Sequence, residues 1–153
     1  MANRGDAETY EKHAEELLRF ATVLVGPDSA PDVLSAAVLR AIAARSWPMV
    51  ENRRAYLFRC VLNEARTSYR SSFRRQKLEV RLAPPEATSD PESPIDVANA
   101  LAHLSQRQRA VVYFAYWEDQ SNEEIAFLLN ISSGSVHRHL ARARARLRRL
   151  LGD

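Results

Sequence analysis

The stretch "SNEEIAFLLNISSGSVHRHLARARARLRRLL", residues 121–151, decides the fold of this 153-residue chain. Ser121 can cap a helix, and Glu124 can reach back to complete a capping box before a short apolar helix. Asn130 suits a left-handed turn residue, and Ser132 can cap a second, longer helix. We therefore predict a short helix, a tight turn and a longer helix, which is the helix-turn-helix arrangement.

The longer helix of this motif has two different sides. Six arginines and no acidic residue lie between residues 138 and 149. A helix whose first turns enter a DNA groove contacts base edges there, and flanking arginines contact phosphates. The pattern favours DNA binding over the alternative, a basic solvent face that binds a partner protein. The stripe expected to face the protein interior comprises Val136, Leu140, Ala143, Leu147 and Leu150.

The composition favours a soluble, all-helical protein. Hydrophobic residues make up 46% of the chain and charged residues 27%, while glycine is scarce, with 4 residues. No apolar run is long enough to cross a bilayer, and the N-terminus does not resemble a secretory signal. The single cysteine, Cys60, excludes an internal disulfide and fits a reducing cytoplasm. We expect a cytoplasmic protein without membrane insertion.

A proline-rich acidic segment divides the chain. Residues 83–94 contain four prolines and only acidic charge, which predicts a flexible linker rather than a packed helix. Three helices are predicted before it, the third beginning near residue 52 and extending to residue 74 or beyond. The fold class is therefore all-α, with two small helical domains, residues 1–82 and 95–153, joined by the linker. The stripe predicted for the first helix comprises Tyr10, Ala14, Leu17, Leu18, Ala21 and Leu24.

The charge is unevenly distributed along the chain. Residues 66–81 contain six basic residues and one acidic residue, whereas residues 82–104 contain four acidic residues and neither lysine nor arginine. Two basic blocks on either side of an acidic spacer suggest two contacts with one polyanion. On the third helix, a basic stripe at spacings of four, three and four residues comprises Arg59, Asn63, Arg66 and Arg70.

Aromatic residues accompany this basic stripe, as in proteins whose cations contact phosphates and whose rings stack on unpaired bases. Trp47 and Tyr56 lie before or at the start of the third helix, whereas Phe58 and Leu62 are expected in the core. The sequence gives no indication of an enzyme, because its four histidines lack metal-ligand spacing with Cys60 and no phosphate-binding glycine loop occurs. We therefore expect no catalytic residue, metal or cofactor.

Three segments in this order resemble the extracytoplasmic-function (ECF) group of the sigma-70 family of bacterial RNA polymerase. They are "DVLSAAVLRAIAA" (residues 32–44), "RAYLFRCVLNEARTSYRS" (residues 54–71) and "LSQRQRAVVYFAYWEDQSNEEIAFLLNISSGSVHRHLARARARLRRL" (residues 104–150). The third is the most specific, because it combines a short "RQR" helix, an acidic turn, a capped helix and the pattern S-x-G-[ST]-V. The resemblance spans nearly the whole chain.

This resemblance implies a sigma factor that binds core RNA polymerase, through its clamp helices and flap, and promoter DNA. An anti-sigma protein is left open as a further partner. The residues implied at the −35 element are Ser135, His137, Arg138, His139 and Arg142. Those implied at the −10 element are Trp47, in the loop of residues 46–52, with Arg59, Asn63, Arg66 and Arg70. Those implied at the polymerase are Asp32, Ser35, Ala36, Leu39 and Arg40.

Some positions depart from the family pattern and keep two alternatives open. The family usually follows its leading acidic residue with glutamine and glutamate, but Ser35 and Ala36 follow Asp32 here. His137 stands where lysine or arginine is usual. One alternative is a repressor or activator that binds DNA without polymerase. The other is a sigma-like decoy, whose altered clamp-binding helix prevents transcription.

Overall fold

The computed structural model describes the backbone of residues 4–82 and 97–152, and the side chains of residues 4–68 and 99–152. All regular structure in these ranges is helical, which confirms the all-α prediction. Short 3-10 and π-helical turns lie at Trp47–Met49 and Tyr113–Trp117. The α-helices are α1 (Arg4–Val25), α2 (Ala30–Ala43), α3 (Arg53–Leu82), α4 (Val97–Ala102), α5 (Gln106–Val112), α6 (Asn122–Leu129) and α7 (Ser133–Leu151).

Three serines begin the last helices of the chain. The Ser121 hydroxyl accepts a hydrogen bond from the backbone N–H of Glu124 at 3.1 Å, and Ser132 accepts one from three residues ahead at 3.0 Å. Both serine caps are confirmed, but at Ser121 the described structure shows no bond from the Glu124 side chain back to the cap, so the predicted capping box is incomplete there. A complete capping box occurs at Ser105, whose hydroxyl accepts from the Gln108 N–H while the Gln108 side chain accepts from the Ser105 N–H, both at 3.1 Å. These caps fix where the helices begin because they satisfy N–H groups that have no partner in the first turn.

The turn of the predicted helix-turn-helix has the expected conformation. Asn130 follows α6 with φ 56° and ψ 49°, a left-handed conformation that asparagine tolerates better than most residues. Its N–H and that of Ile131 bond back to carbonyls at the end of α6. The chain therefore reverses tightly and enters α7 three residues later.

The first three helices pack against one another, and α1 shows one error in the predicted core. Leu17, Ala21 and Leu24 are buried as expected, but Leu18 is 41% exposed, and the fully buried aromatic residue is Phe20. In an α-helix Leu18 lies about 100° around the axis from Leu17, whereas Phe20 lies only about 60° away. Phe20 therefore reaches the interior, and Leu18 lies at its edge.

The two halves of the chain share an aromatic cluster. Phe114, from the π-helical turn, is fully buried and contacts Phe20 and Phe58, with ring centroids 5.0 Å and 5.1 Å apart. Offset and edge-on aromatic pairs at such distances stabilise the structure beyond the burial of their area. We call the conformation in which these rings join the two halves the packed arrangement. Its geometry was not predicted from the sequence.

A buried arginine also joins the halves. The Arg109 guanidinium, 6% exposed, donates to the carbonyls of Leu104 at 3.1 Å and Ala102 at 2.8 Å, and to the Leu24 carbonyl at the end of α1. A buried cation needs such acceptors because losing its hydration is costly. Arg109 therefore satisfies carbonyls from both halves at one point.

One predicted helix boundary can be compared with the structure. The third helix extends to Leu82, which agrees with the prediction that it reaches residue 74 or beyond. The predicted linker, residues 83–94, lies outside the described residues and stays a prediction.

Candidate nucleic-acid interface

Helix α7 separates apolar and basic residues as its sequence predicts. Val136, Leu140 and Ala143 are buried, and Leu147 and Leu150 are partly buried. On the other side of the helix, His137, Arg138 and Arg142 are exposed, with Ser135 and His139 partly exposed beside them. All five residues predicted to contact a −35 element thus lie in the first three turns of one helix, outside its buried stripe.

Hydrogen bonds between residues three positions apart order the first turn of α7. Arg138 Nη2 donates to Ser135 Oγ at 2.9 Å, and Ser132 Oγ lies 3.1 Å from the same oxygen. The guanidinium therefore lies along the helix start, near backbone N–H groups that attract anions. This position suits an arginine that contacts a base edge or an adjacent phosphate.

A side-chain contact joins the two helices of the motif. The amide nitrogen of Asn122, in the first turn of α6, lies 3.1 Å from His137 Nε2 on α7. Sequence reasoning missed this contact, because an asparagine after a capping serine gives no local signal of a partner 15 residues away. The contact limits the orientations that the His137 ring can adopt.

His139 is the perturbed titratable group on α7. Burial lowers the pKa of its imidazole, and the nearby guanidiniums of Arg107, Arg142 and Arg138 lower it further. Its buried Nδ1 has no hydrogen-bond partner within the part of the chain that the structure describes. The ring is therefore neutral near pH 7, surrounded by cations that would attract a phosphate.

The basic stripe of α3 faces the helix-turn-helix. Arg59 Nη2 donates to the Phe127 carbonyl at 2.5 Å, and its Nε donates to the Leu128 carbonyl at 3.2 Å. Arg59, Asn63 and Arg66 line one side of a cavity of about 230 Å³, and residues 129–131 line the other. In the packed arrangement, Arg59 and Arg66 are thus partly covered, whereas Asn63 is exposed. The Arg70 side chain lies outside the described residues.

Trp47 lies inside the protein, unlike the other predicted −10 residues. Its side chain is 4% exposed, and its indole N–H donates to Asp6 Oδ1 at 2.8 Å. Met49, two residues later, is instead 82% exposed. The geometry supports a role for Trp47 in supporting its loop rather than in touching DNA with its ring. Phe58 and Leu62 are buried, as expected.

The predicted polymerase-binding residues share one face of α2. Asp32, Ser35, Leu39 and Arg40 are exposed, with Leu39 at 70%, and Ala36 is partly exposed. Arg40 Nε lies 2.6 Å from a carboxylate oxygen of Glu64 on α3. An exposed leucine between charged residues is a suitable centre for a protein contact.

Other chemistry has little support in the described residues. No group of three or more His, Cys, Asp or Glu side chains among them could hold a metal ion. Cys60 is half-buried, and burial raises the pKa of its thiol, which makes it a poor nucleophile. Nor is any helix of the described part long and apolar enough to cross a membrane.

The fold and the exposed basic helix define a helix-turn-helix protein of the DNA-binding class. Residues 95–147 match the sequence model of the family described as Sigma-70, region 4. The chain is 38% identical to an RNA polymerase sigma-E factor of Streptomyces coelicolor, over 88% of this chain and 78% of that protein. It is 31% identical to the ECF RNA polymerase sigma factor SigM of Mycobacterium tuberculosis, over 95% and 76%. The chain therefore belongs to the ECF group of RNA polymerase sigma factors.

Two solved structures share the fold of this chain. CnrH, solved in complex with the cytosolic domain of CnrY, has a TM-score of 0.66 and 26% identity, over 97% of this chain and 88% of CnrH. The sigma factor RpoE of Bartonella quintana, solved in complex with the anti-sigma factor NepR, has a TM-score of 0.65 and covers 98% of both chains. At 23% identity, this second likeness concerns the fold alone.

Proposed function

We propose that this chain binds core RNA polymerase and directs it to specific promoters as a sigma factor. The observation that carries the proposal is the capped α7, whose exposed Arg138 and Arg142 project opposite a buried stripe. Membership of the ECF group supports it. In this role the protein is a regulator rather than an enzyme, and it acts where the polymerase is, in the cytoplasm.

The C-terminal half, residues 95–153, is the proposed −35-binding domain. Helix α7 would lie in the major groove, where its first turns reach base edges. Arg138 would contact a base, Arg142 a base or the adjacent phosphate, and Ser135, His137 and His139 would lie beside them. The exposed arginines farther along α7 would contact phosphates and add affinity that depends on salt.

The N-terminal half, residues 1–82, is the proposed polymerase and −10 domain, and residues 83–94 connect it to the other half. Asn63 and Arg66, with Arg59 and Arg70 on the same helix stripe, would contact the opened strand near the loop of residues 46–52. Single-stranded DNA is bound by such combinations of cations and apolar surface.

Helix α2 is the proposed polymerase-docking element. Its exposed face carries Asp32 near the start of the helix and Leu39 and Arg40 near its end. We expect the double substitution of Asp32 and Arg40 by alanine to weaken binding to core polymerase at least tenfold, since charged contacts at interfaces fix register and the rate of association. A binding titration measures this, and unchanged affinity would exclude α2 as the docking surface.

An anti-sigma protein is a further proposed partner. Both solved relatives described above were crystallised or solved with such a protein or with a partner's cytosolic domain. The packed arrangement supports the proposal, because a protein that holds the halves together would keep Arg59 and Arg66 of α3 partly covered.

Reconstitution with core polymerase tests the proposed function. The purified chain is mixed with core polymerase and a promoter library, and both co-elution and promoter-dependent transcripts are measured. A sigma factor gives both. DNA binding without co-elution would support the repressor or activator alternative, and co-elution without transcripts would support the decoy. Core polymerase without the chain serves as the negative control.

A further inference from the structure

A buried carboxylate lies at the start of the chain's first helix, far in sequence from its partners. Asp6 is 4% exposed, although it lies in the first turn of α1. Its Oδ1 accepts from the Trp47 indole N–H at 2.8 Å, across 41 residues, and lies 3.5 Å from Arg53 Nη1. Because burying a carboxylate is costly unless it is paired and hydrogen-bonded, these contacts are needed for Asp6 to be buried.

The same groups enclose the indole of Trp47. The Arg53 guanidinium carbon lies 4.6 Å from the centroid of the indole, in cation–π geometry. Tyr56 packs beside it with ring centroids 5.9 Å apart. The Trp47 indole thus donates to Asp6, lies under the Arg53 guanidinium and packs beside the ring of Tyr56.

This enclosure fixes a turn whose other residues face outwards. Within the Trp47–Met49 turn and the residue before it, Trp47 is buried, while Ser46, Pro48 and Met49 are exposed. Met49 presents 82% of its surface. An exposed thioether on a fixed turn offers an adaptable apolar contact to a ligand.

We propose that Asp6 is a positioning residue for −10 recognition. It holds the Trp47 indole, and through it the turn, so that Met49 contacts an unpaired base of the −10 element. Asp6 itself touches no DNA. The inference rests on the proposed function, and it assigns part of the −10 specificity to the N-terminal helix, outside the segments that resemble the family.

Two substitutions of Asp6 separate positioning from general stability. Asp6→Ala removes the acceptor and the charge, whereas Asp6→Asn keeps an oxygen that can accept the indole N–H. Glu8→Ala, an exposed acid on the same helix, is the matched control. Transcription with core polymerase is measured on separate −10 and −35 libraries. We expect Asp6→Ala to reduce discrimination at one −10 position roughly tenfold, with unchanged −35 preferences, as loss of one base contact would.

Asp6→Asn should recover most of the discrimination, and Glu8→Ala should equal the wild type. If Asp6→Ala folds poorly, Trp47→Phe replaces it, because phenylalanine keeps an aromatic ring but cannot donate to Asp6. Unchanged −10 preferences in a folded Asp6→Ala or Trp47→Phe variant would overturn the proposal. An equal loss at both libraries would also overturn it, since that indicates a structural role only.

A measurement without polymerase distinguishes this failure from failure of the proposed function. The NMR signals of the Trp47 indole N–H and the Met49 methyl group are compared in the wild type and Asp6→Ala. We expect the indole signal to shift and the methyl signal to broaden as the turn loosens. Unchanged signals would overturn the positioning contact even if the chain is a sigma factor. A wild-type chain without promoter-directed transcription would instead overturn the proposed function, whatever the NMR result.

Discussion

At the residue scale, the exposed arginines of α7 are chemically alike but differ in position. Arg138 lies in the turns closest to the helix start, where it contacts Ser135, whereas Arg148 lies near the C-terminal end. Only the start of such a helix enters the groove deeply enough to reach base edges. Arg138 should therefore contribute to sequence specificity, whereas Arg148 should contribute affinity for any DNA sequence.

We predict that Arg138→Ala relaxes sequence preference at one or two −35 positions. An arginine–guanine contact contributes roughly 1–3 kcal/mol of discrimination, so the preference for the favoured base should fall about five- to 160-fold. Binding to a −35 library measures this. Arg148→Ala is the matched control and should lower affinity about equally for all sequences. If Arg138→Ala keeps the same preferred bases while folded, α7 is not the element that recognises DNA.

We also predict that His139 makes the fold sensitive to acid. Its folded-state pKa is lowered, by burial first and then by the neighbouring guanidiniums, so the unfolded chain binds a proton more readily. Stability should therefore be full above the unfolded pKa of about 6.5 and fall as the pH drops below it. Urea unfolding between pH 8 and pH 5 measures this, with His139→Gln as comparison. The same pH dependence in His139→Gln would assign the effect to other groups.

At the element scale, the sequence predicts features that depend on neighbouring residues, but it does not reveal contacts between residues far apart in the chain. The serine caps of α6 and α7, the left-handed Asn130 and the buried stripe of α7 all depend on residues within a few positions, so their patterns are visible in sequence. The Asp6–Trp47 hydrogen bond joins residues 41 positions apart, so no periodic pattern in the sequence indicates it. An aromatic residue beside cations has the same sequence pattern whether its ring is exposed or buried, so the burial of Trp47 is not visible in the sequence.

Arg109 is a second distant contact, and we predict that it stabilises the packing of α5 against α1 and α4. Arg109→Met would leave the carbonyls of Leu24, Leu104 and Ala102 without this donor. Hydrogen bonds to a charged group contribute about 1.5–3 kcal/mol each, so we expect a loss of at least ~2 kcal/mol in the free energy of unfolding. Urea denaturation measures it. The control is Arg107→Met, an exposed change on the same helix that should stay within about 0.5 kcal/mol of wild type.

At the scale of the whole molecule, the packed arrangement is too small for the proposed function. Elements at −10 and −35 lie about 25 base pairs apart, or about 85 Å at 3.4 Å per pair. A compact globule of 153 residues spans about 40 Å, and α3, with 30 residues at about 1.5 Å each, is only about 45 Å long. The halves must therefore separate on a promoter, which exposes aromatic surface of Phe20, Phe58 and Phe114.

This separation has a cost that explains why the free chain is packed. Exposing a buried phenylalanine costs about 1.5–3 kcal/mol, and the two Arg59 hydrogen bonds to α6 are lost as well. Polymerase and promoter contacts must offset this cost. Arg59 would therefore change partners. In the packed arrangement its guanidinium donates to carbonyls of α6, and in the open arrangement it would be free to contact DNA.

We predict that the halves move apart when the chain enters a polymerase–promoter complex. Fluorophores on Arg45→Cys and Ala145→Cys, both exposed positions, in a Cys60→Ser background should show efficient energy transfer in the free chain and little in the complex. Arg59→Ala should lower the transfer in the free chain, because it removes the hydrogen bonds to α6. Arg4→Ala, an exposed arginine at the far end of α1, is the control and should leave the transfer unchanged. Equal transfer in the free chain and the complex would mean that the halves stay packed on the promoter, and the assignment of one half to each element would then be wrong.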